Sequence, residues 1–301
     1  MVSDRGSTSR RTVRSAAVAA IAASIGLVAA CGGSGAAGSQ KGNPSAAKAS
    51  GHLGQLQTAN SATVGIVNQP PFSGVSPTGG TVGFSPQLAK QILYDLGVGN
   101  TKPTLGVYGD MIPGLNAGRW DLIGASLVVT PQRCGQVIFS EPIVSDYVRL
   151  AYKSGSNAPT SLKALIADNN LKVGILTGST YVKTFEAAGL PVSRVVEFND
   201  IRSGLDGVLA GRANVLAGAA SGFNITGIDP QIKFTPRLTD VAPSVSAFAF
   251  KKSDTALRDA FNTDLKKLIA DGQYAKIMKH WGFTGDEIKG LSTRQVCTSS
   301  S

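Results

Sequence analysis

The chain is poor in the residue types that carry most metal, redox and nucleophilic chemistry. Three cysteines and two histidines stand among 301 residues. His52 and His280 have no spacing that fits a metal site, so no metal and no cofactor is expected. A G-x-S-x-G nucleophile elbow is absent, as are a phosphate loop and an H-E-x-x-H helix. Cys134 has no histidine partner visible in its surroundings, which leaves no catalytic residue to name. Acidic residues number 19 against 29 basic ones, a formal charge of +10. No basic cluster is interleaved with aromatics, which argues against a nucleic-acid partner. Beyond the first thirty residues no apolar run approaches the roughly 20 residues that span a bilayer.

What is present begins with Arg5, Arg10, Arg11 and Arg14, opposed only by Asp4, followed by the small apolar run Ser15 to Ala30. A basic start followed by a short apolar segment reads as a signal peptide over 1–30. Ser9-Arg10-Arg11-Thr12-Val13-Arg14 fits a twin-arginine signal and, equally, the basic start of a general secretory one. Cys31 stands at the cleavage point before Gly32-Gly33-Ser34-Gly35 and is the expected lipidation site. Residues 31–60, rich in Gly, Ser, Ala and Lys, are expected to be a flexible tether to the outer face of the cytoplasmic membrane. That lipid anchor is the only membrane contact expected. Without residues 1–30 the formal charge falls to +7, a balance suited to anionic ligands.

From residue 61 onward short apolar strands alternate with helical patterns. Ala62–Val67, Leu171–Leu176 and Asn214–Ala217 read as buried strands. Phe84, Leu88, Ile92, Leu93 and Leu96 share one helical face. Such alternation predicts parallel sheets covered by helices on both faces, with a ligand beyond the strand ends or between lobes. Arg149–Lys153 and Ala247–Lys251 read as crossover strands, giving a hinge. The expected division is 61–150 with 248–301 as lobe 1, and 151–247 as lobe 2.

Two segments have the chemistry of an anion seat. In Thr130-Pro131-Gln132-Arg133, Thr caps a helix and Pro starts it. Arg133 then falls in the first turn, where the helix dipole favours a carboxylate. Either Arg133 pairs with an acid such as Glu141, or it aims at an external anion together with free backbone N–H groups. Gly178-Ser179-Thr180 stands at a strand-to-helix turn, where its hydroxyls either cap the helix or meet an anion. Tyr108 follows a strand and is either a core tyrosine or the wall of a pocket. Cys134 and Cys297 are either two free thiols or one disulfide in an oxidising compartment.

The ordered motifs Gly83-Phe84-Ser85-Pro86-Gln87-Leu88-Ala89, Ile112-Pro113-Gly114-Leu115-Asn116-Ala117-Gly118-Arg119-Trp120-Asp121, Thr130-Pro131-Gln132-Arg133, Phe139-Ser140-Glu141-Pro142 and Val173–Thr180 resemble the family 3 extracellular solute-binding proteins of polar amino-acid ABC importers. The resemblance runs from about Ala62 to Gly282. It implies a type II, periplasmic-binding-protein-like α/β clamshell, each lobe a mostly parallel sheet flanked by helices. It implies a monomer that delivers a small carboxylate-bearing ligand to an ABC permease. By position, Arg133 would grip the ligand carboxylate, with Ser179 and Thr180 holding it from the second lobe. Ser126 would donate from a strand end, and Tyr108 would stack on the ligand body.

Three positions depart from the pattern. Val128 stands where Thr or Ser is usual, and Gln69 where an aromatic is common. Ala219 occupies the place of the Asp that binds an α-ammonium. A cleft without that carboxylate would leave an ammonium unpartnered, at a cost of several kcal/mol. The expected ligand is therefore a carboxylate whose amino group is modified or absent, unless Asn68, Gln69 or Ser221 supplies an acceptor. The same fold also admits a dehydratase-like enzyme, or a sensory lipoprotein without an importer.

Overall fold

A computed structural model of the chain describes residues 40–225 and 227–299. In chain order the first elements are α1 (Gly51–Ala59), β1 (Ser61–Val67), β2 (Gly74–Val75), β3 (Thr81–Val82), α2 (Phe84–Asp95), β4 (Asn100–Gly106) and α3 (Tyr108–Asn116). β5 (Leu122–Val128), the short α4 (Pro131–Cys134), β6 (Ile138–Phe139) and β7 (Val144–Asp146) follow. The middle of the chain forms β8 (Val148–Lys153), α5 (Leu162–Ala167), β9 (Val173–Leu176), α6 (Thr180–Ala187), β10 (Val195–Phe198), α7 (Ile201–Leu209), β11 (Val215–Ala219) and β12 (Ile232–Phe234). β13 (Ser244–Phe250), α8 (Thr255–Ala270), α9 (Gln273–His280) and α10 (Thr293–Thr298) complete it.

These strands make two main sheets. One runs β4-β1-β5-β13-β6, with β7 also paired to β13. The other runs β10-β9-β11-β8-β12. In each, three parallel strands meet an antiparallel crossover strand: β13 against β5, and β8 against β11. The sheets are therefore mixed rather than mostly parallel. Strand periodicity carries no direction, so the sequence pattern does not separate the two cases. The crossings also lie elsewhere than expected. Asp146 ends the last strand before the crossing and Val148 begins the first strand after it. The return falls between Phe234 and Ser244. The expected limits at 150/151 and 247/248 thus fall inside β8 and β13, because an apolar run does not announce which sheet it joins.

Local sequence explains how the elements are placed. α7 starts at a capping box: Ser203 N donates to Asp200 Oδ1 at 2.8 Å, and Asp200 N donates to Ser203 Oγ at 3.3 Å. Such a cap typically contributes about 1 kcal/mol. α2 buries Phe84, Leu88, Ile92 and Leu93 against the first sheet. Its entry turn needs Gly83 at φ +109°, because a Cβ there would sit 2.6 Å from the Phe72 carbonyl oxygen.

The expected tether over 31–60 is overturned for its second half. α1 occupies Gly51–Ala59, and Leu53 and Leu56 are buried in the core of the first lobe. His52 lies between two carboxylates, Nδ1 2.9 Å from Asp254 Oδ2 and Nε2 3.0 Å from Asp121 Oδ1. Leu53 and Leu56, three residues apart, are the apolar pair that the surrounding Gly and Ala concealed. The signal segment and Cys31 lie outside the described residues. No helix among the described residues is long and apolar enough to cross a membrane.

Candidate functional site

Both sheets present strand ends and loops to one cleft. From the first lobe come Gln69, Phe72, Tyr108, Ser126, Val128 and Arg133. The facing wall is Leu176, Ser179, Thr180, Tyr181 and Ala217–Ala219, and the crossovers supply Asp146, Ser244 and Ser246. All seven expected ligand contacts, Gln69, Tyr108, Ser126, Arg133, Ser179, Thr180 and Ala219, line this single cavity. As it stands it has room for a few water molecules, about 40 Å³.

Arg133 is fixed from the sequence upward. Thr130 Oγ1 accepts from Arg133 N at 3.2 Å, the cap implied by Thr-Pro. The guanidinium then turns into the cleft wall, where Nη1 donates to Val128 O at 2.9 Å and Nη2 reaches across to Gly178 O at 3.2 Å. Among the described residues no carboxylate pairs with it, Glu141 included. Burial pushes its pKa down to about 10, with the Tyr108 phenol opposing that shift. A half-buried arginine held by two carbonyls still has donors that could meet an anion.

Two hydroxyls face the same space. Ser126 Oγ and Ser179 Oγ are buried and have no hydrogen-bond partner. Ser179 precedes α6 but does not cap it with its side chain, so plain helix capping does not account for it. Ser126 has φ +50°, a left-handed conformation that costs a non-glycine residue roughly 1 kcal/mol or more. The strain directs a serine hydroxyl into the cleft from within β5. Buried polar groups are normally satisfied, and two orphan hydroxyls that line the same cavity as a half-satisfied arginine have the donor chemistry an anion requires.

The tyrosine and its neighbours form the body of the cavity. Tyr108 opens α3, and its OH donates to Gln69 Oε1 at 2.6 Å. Burial raises the Tyr108 and Tyr181 phenols above their usual range, so both remain neutral donors. Phe72 adds a third ring.

Asp146 was not anticipated from the sequence. It ends β7 and is only 7% exposed. Its Oδ1 accepts from Tyr147 N at 2.7 Å, and its Oδ2 from Ser221 N at 2.9 Å. The expectation of a cleft without a carboxylate is therefore overturned. Ala219 does leave its own position empty of charge, but the acid arrives from the crossover beside it. Gln69 is occupied with Tyr108, Asn68 Oδ1 accepts from Val75 N at 3.3 Å, and Ser221 serves Asp146. A signal existed: Asp146 is an isolated acid in the apolar run Pro142–Tyr152.

Cys134 and Cys297 are bonded, with Cα atoms 5.7 Å apart. The bond ties α10 to α4, the helix that carries Arg133.

Two lobes closing over an arginine and unpaired hydroxyls define a clamshell receptor for small solutes. The chain belongs to the bacterial extracellular solute-binding proteins, family 3, whose profile matches residues 62–284. It is similar to a probable amino-acid ABC transporter periplasmic-binding protein of Sinorhizobium fredii, 25% identical over 82% of this chain and 86% of the relative. An L-arginine-binding protein of Pseudomonas aeruginosa is 28% identical over 71% of this chain and 85% of its own. Among solved structures, EhuB in complex with hydroxyectoine superposes with a TM-score of 0.79 at 33% identity, covering 83% of this chain and 98% of EhuB.

Proposed function

We propose that the cleft binds the carboxylate of a small amino-acid-like solute, with Arg133 as the grip. The protein is the solute-binding component of an ABC importer, a role shared with its relatives. Arg133 meets the carboxylate as a bidentate donor from the first lobe. Ser126 Oγ adds a hydrogen bond from β5, and Ser179 and Thr180 close on the same group from α6. Tyr108 packs against the ligand body. The hydroxyectoine, arginine and histidine named for the similar proteins all carry a carboxylate. One observation carries this reading: a half-buried arginine that lines the same cavity as two orphan hydroxyls, with no protein acid paired to it among the described residues.

Retention rather than turnover fits the lining. Among the described residues that line the cavity, Asp146 is the single carboxylate, and histidine, lysine and cysteine do not occur. An ancestral precursor of cyclohexadienyl dehydratase shares the fold at 23% identity, which bears on fold alone. Export follows from the family, and lipidation of Cys31, placing a monomer on the outer face of the cytoplasmic membrane, completes the proposal. Cys31→Ala then releases the protein from the detergent phase on partitioning.

Calorimetry tests the grip, with hydroxyectoine, L-arginine and L-histidine as probes and their carboxamides as controls. Wild type binds at least one acid and rejects its carboxamide. Arg133→Ala loses about 2–5 kcal/mol, the usual cost of truncating one side of a buried charge pair. Near-equal affinity of acid and carboxamide overturns the assignment.

A further inference from the structure

The chain enters the described structure on a defined face of the first lobe. Gln40 O accepts from Asn60 Nδ2 at 2.9 Å and from Asn100 Nδ2 at 3.0 Å, and Asn43 N donates to Tyr94 O at 2.9 Å. Gln40 is thereby pinned at the rim of a groove between α2 and α9. Lys90 of α2 and Lys276 of α9 line that groove, with half-buried Tyr94 and Ile277 between them. Lys41 follows Gln40 directly, and Lys279 lies one helical turn beyond Lys276; both are exposed. Among the described residues none of these four lysines forms an ion pair. α9 itself contains no acidic residue. The acids at the ends of the two helices already accept hydrogen bonds: Asp95 Oδ2 from Gln91 Nε2 at 3.1 Å, and Asp271 Oδ1 from Gln273 N at 3.0 Å. Four lysines against those two acids leave the face positive.

We propose that this α2–α9 face rests on an anionic lipid bilayer. This rests on the proposed anchor at Cys31 and adds a second membrane contact to it. Gln40 lies nine residues after Cys31, a reach of at most about 30 Å. An anchor at Cys31 therefore keeps the groove close to the lipid headgroups. Lysines brought within a Debye length of an anionic surface, about 8 Å, each strengthen the attachment. The intervening Gly32-Gly33-Ser34-Gly35-Ala36-Ala37-Gly38-Ser39 carries no side-chain charge, so that segment offers the lysines no counter-ion. Trp281 belongs to the same face: its Nε1 donates to Gln87 Oε1 at 2.8 Å, and Gln87 lines the groove. An indole with one polar edge suits the headgroup level. An anchor alone leaves the lobe free to turn, whereas contact along α2 and α9 fixes which side faces the membrane.

The test mixes the exported wild-type chain with vesicles of phosphatidylglycerol or of phosphatidylcholine, each containing a nitroxide-headgroup lipid. Trp281 is the reporter, since Trp120 is only 3% exposed, and Trp281→Phe gives the background. Trp281 fluorescence is quenched in phosphatidylglycerol and far less in phosphatidylcholine. The quenching recedes as salt rises from about 0.1 M to about 1 M. Lys90→Glu combined with Lys276→Glu removes most of it. Lys163→Glu with Lys233→Glu, an equal change of charge on the second lobe, leaves it in place. All four lysines are exposed, circular dichroism establishes that the variants fold, and the wild-type comparison decides the question without them. Equal quenching in the two lipids overturns the proposal, as does its absence from both, or an equal loss from the second-lobe pair. Detergent partitioning, run in parallel, reads the anchor alone. A chain that stays in the aqueous phase yet is quenched loses the anchor and keeps this face. One that partitions without quenching loses this inference alone.

Discussion

Arg133 Nη2 donates to the carbonyl oxygen of Gly178 at 3.2 Å, so the residue proposed to grip the ligand also reaches across to the opposite lobe. Gly178 adopts φ +70°, and a Cβ there would collide with the backbone of Gly109. Closure therefore depends on a missing side chain at the point where the lobes meet. Gly178→Ala should hold the lobes apart, both through that collision and through the left-handed backbone. Small-angle scattering should report a larger radius for the ligand-bound variant than for ligand-bound wild type. Calorimetry should show affinity reduced by at least about tenfold, roughly 1.4 kcal/mol.

Ser126 combines a left-handed backbone with an unpartnered hydroxyl. Its φ of +50° suits glycine, while its buried hydroxyl has no partner in the protein. Ser126→Gly should relieve backbone strain and raise the ligand-free melting temperature by about 2–4 °C, roughly 1 kcal/mol for a domain this size. Ligand affinity should fall by about tenfold, the value of one hydrogen bond to a charged group. A variant that neither gains stability nor loses affinity would show that the conformation serves packing alone.

The Cys134–Cys297 bond closes a loop of sequence separation 163 and holds α10 against α4. Disulfides of this kind stabilise by about 2–4 kcal/mol. Cys134→Ser with Cys297→Ser should lower the melting temperature and also weaken ligand binding, because α4 positions Arg133. A thiol count on denatured, non-reduced wild type should detect neither cysteine as free. Unchanged affinity in the double variant would confine the bond to a purely stabilising role.

Asp264 gives a pH-dependent stability. Burial, and then the neighbouring Asp95 charge, push its pKa up to about 6. An unfolded Asp titrates near about 3.9, so between those values the folded state holds a proton that the unfolded chain has released. Stability therefore falls as pH rises from about 4 to about 6, and the penalty is fully present above that. Asp264→Asn removes it. Lys267, 3.9 Å away, reduces the size of the effect. The variant should melt about 2–4 °C higher at pH 7.5, on the order of 1 kcal/mol. The difference should vanish near pH 4, and a pH-independent difference would exclude titration of Asp264 as its source.

Much of the site was legible because its signals are local. Thr130-Pro131 dictates a helix start, and Arg133 then has to sit in the first turn. Gly178-Ser179-Thr180 marks a strand-to-helix turn by its backbone requirements, and the structure places α6 there. Helix α2 followed directly from the spacing of Leu88 and Ile92. Asp146 was not legible in the same way. A single acid in an apolar run has the same sequence appearance whether it faces solvent or a cavity, and only the pairing of β7 with β13 settles which. Leu53 and Leu56 were hidden for the opposite reason, since a pair of leucines among small residues gives too weak a periodicity to distinguish a docked helix from a tether.

The sequence by itself determined the alternation of strands and helices, the family, and the residue types of the proposed anion seat, because propensity, capping and hydrophobic period act within a few residues. Tertiary structure alone decided the direction of the crossover strands, the point where the chain changes lobes, and the meeting of Arg133 with Gly178 and of Asp146 with Ser221. Those depend on contacts between segments 45 and 75 residues apart, where no local rule reaches and only the burial of two packed sheets selects the partner.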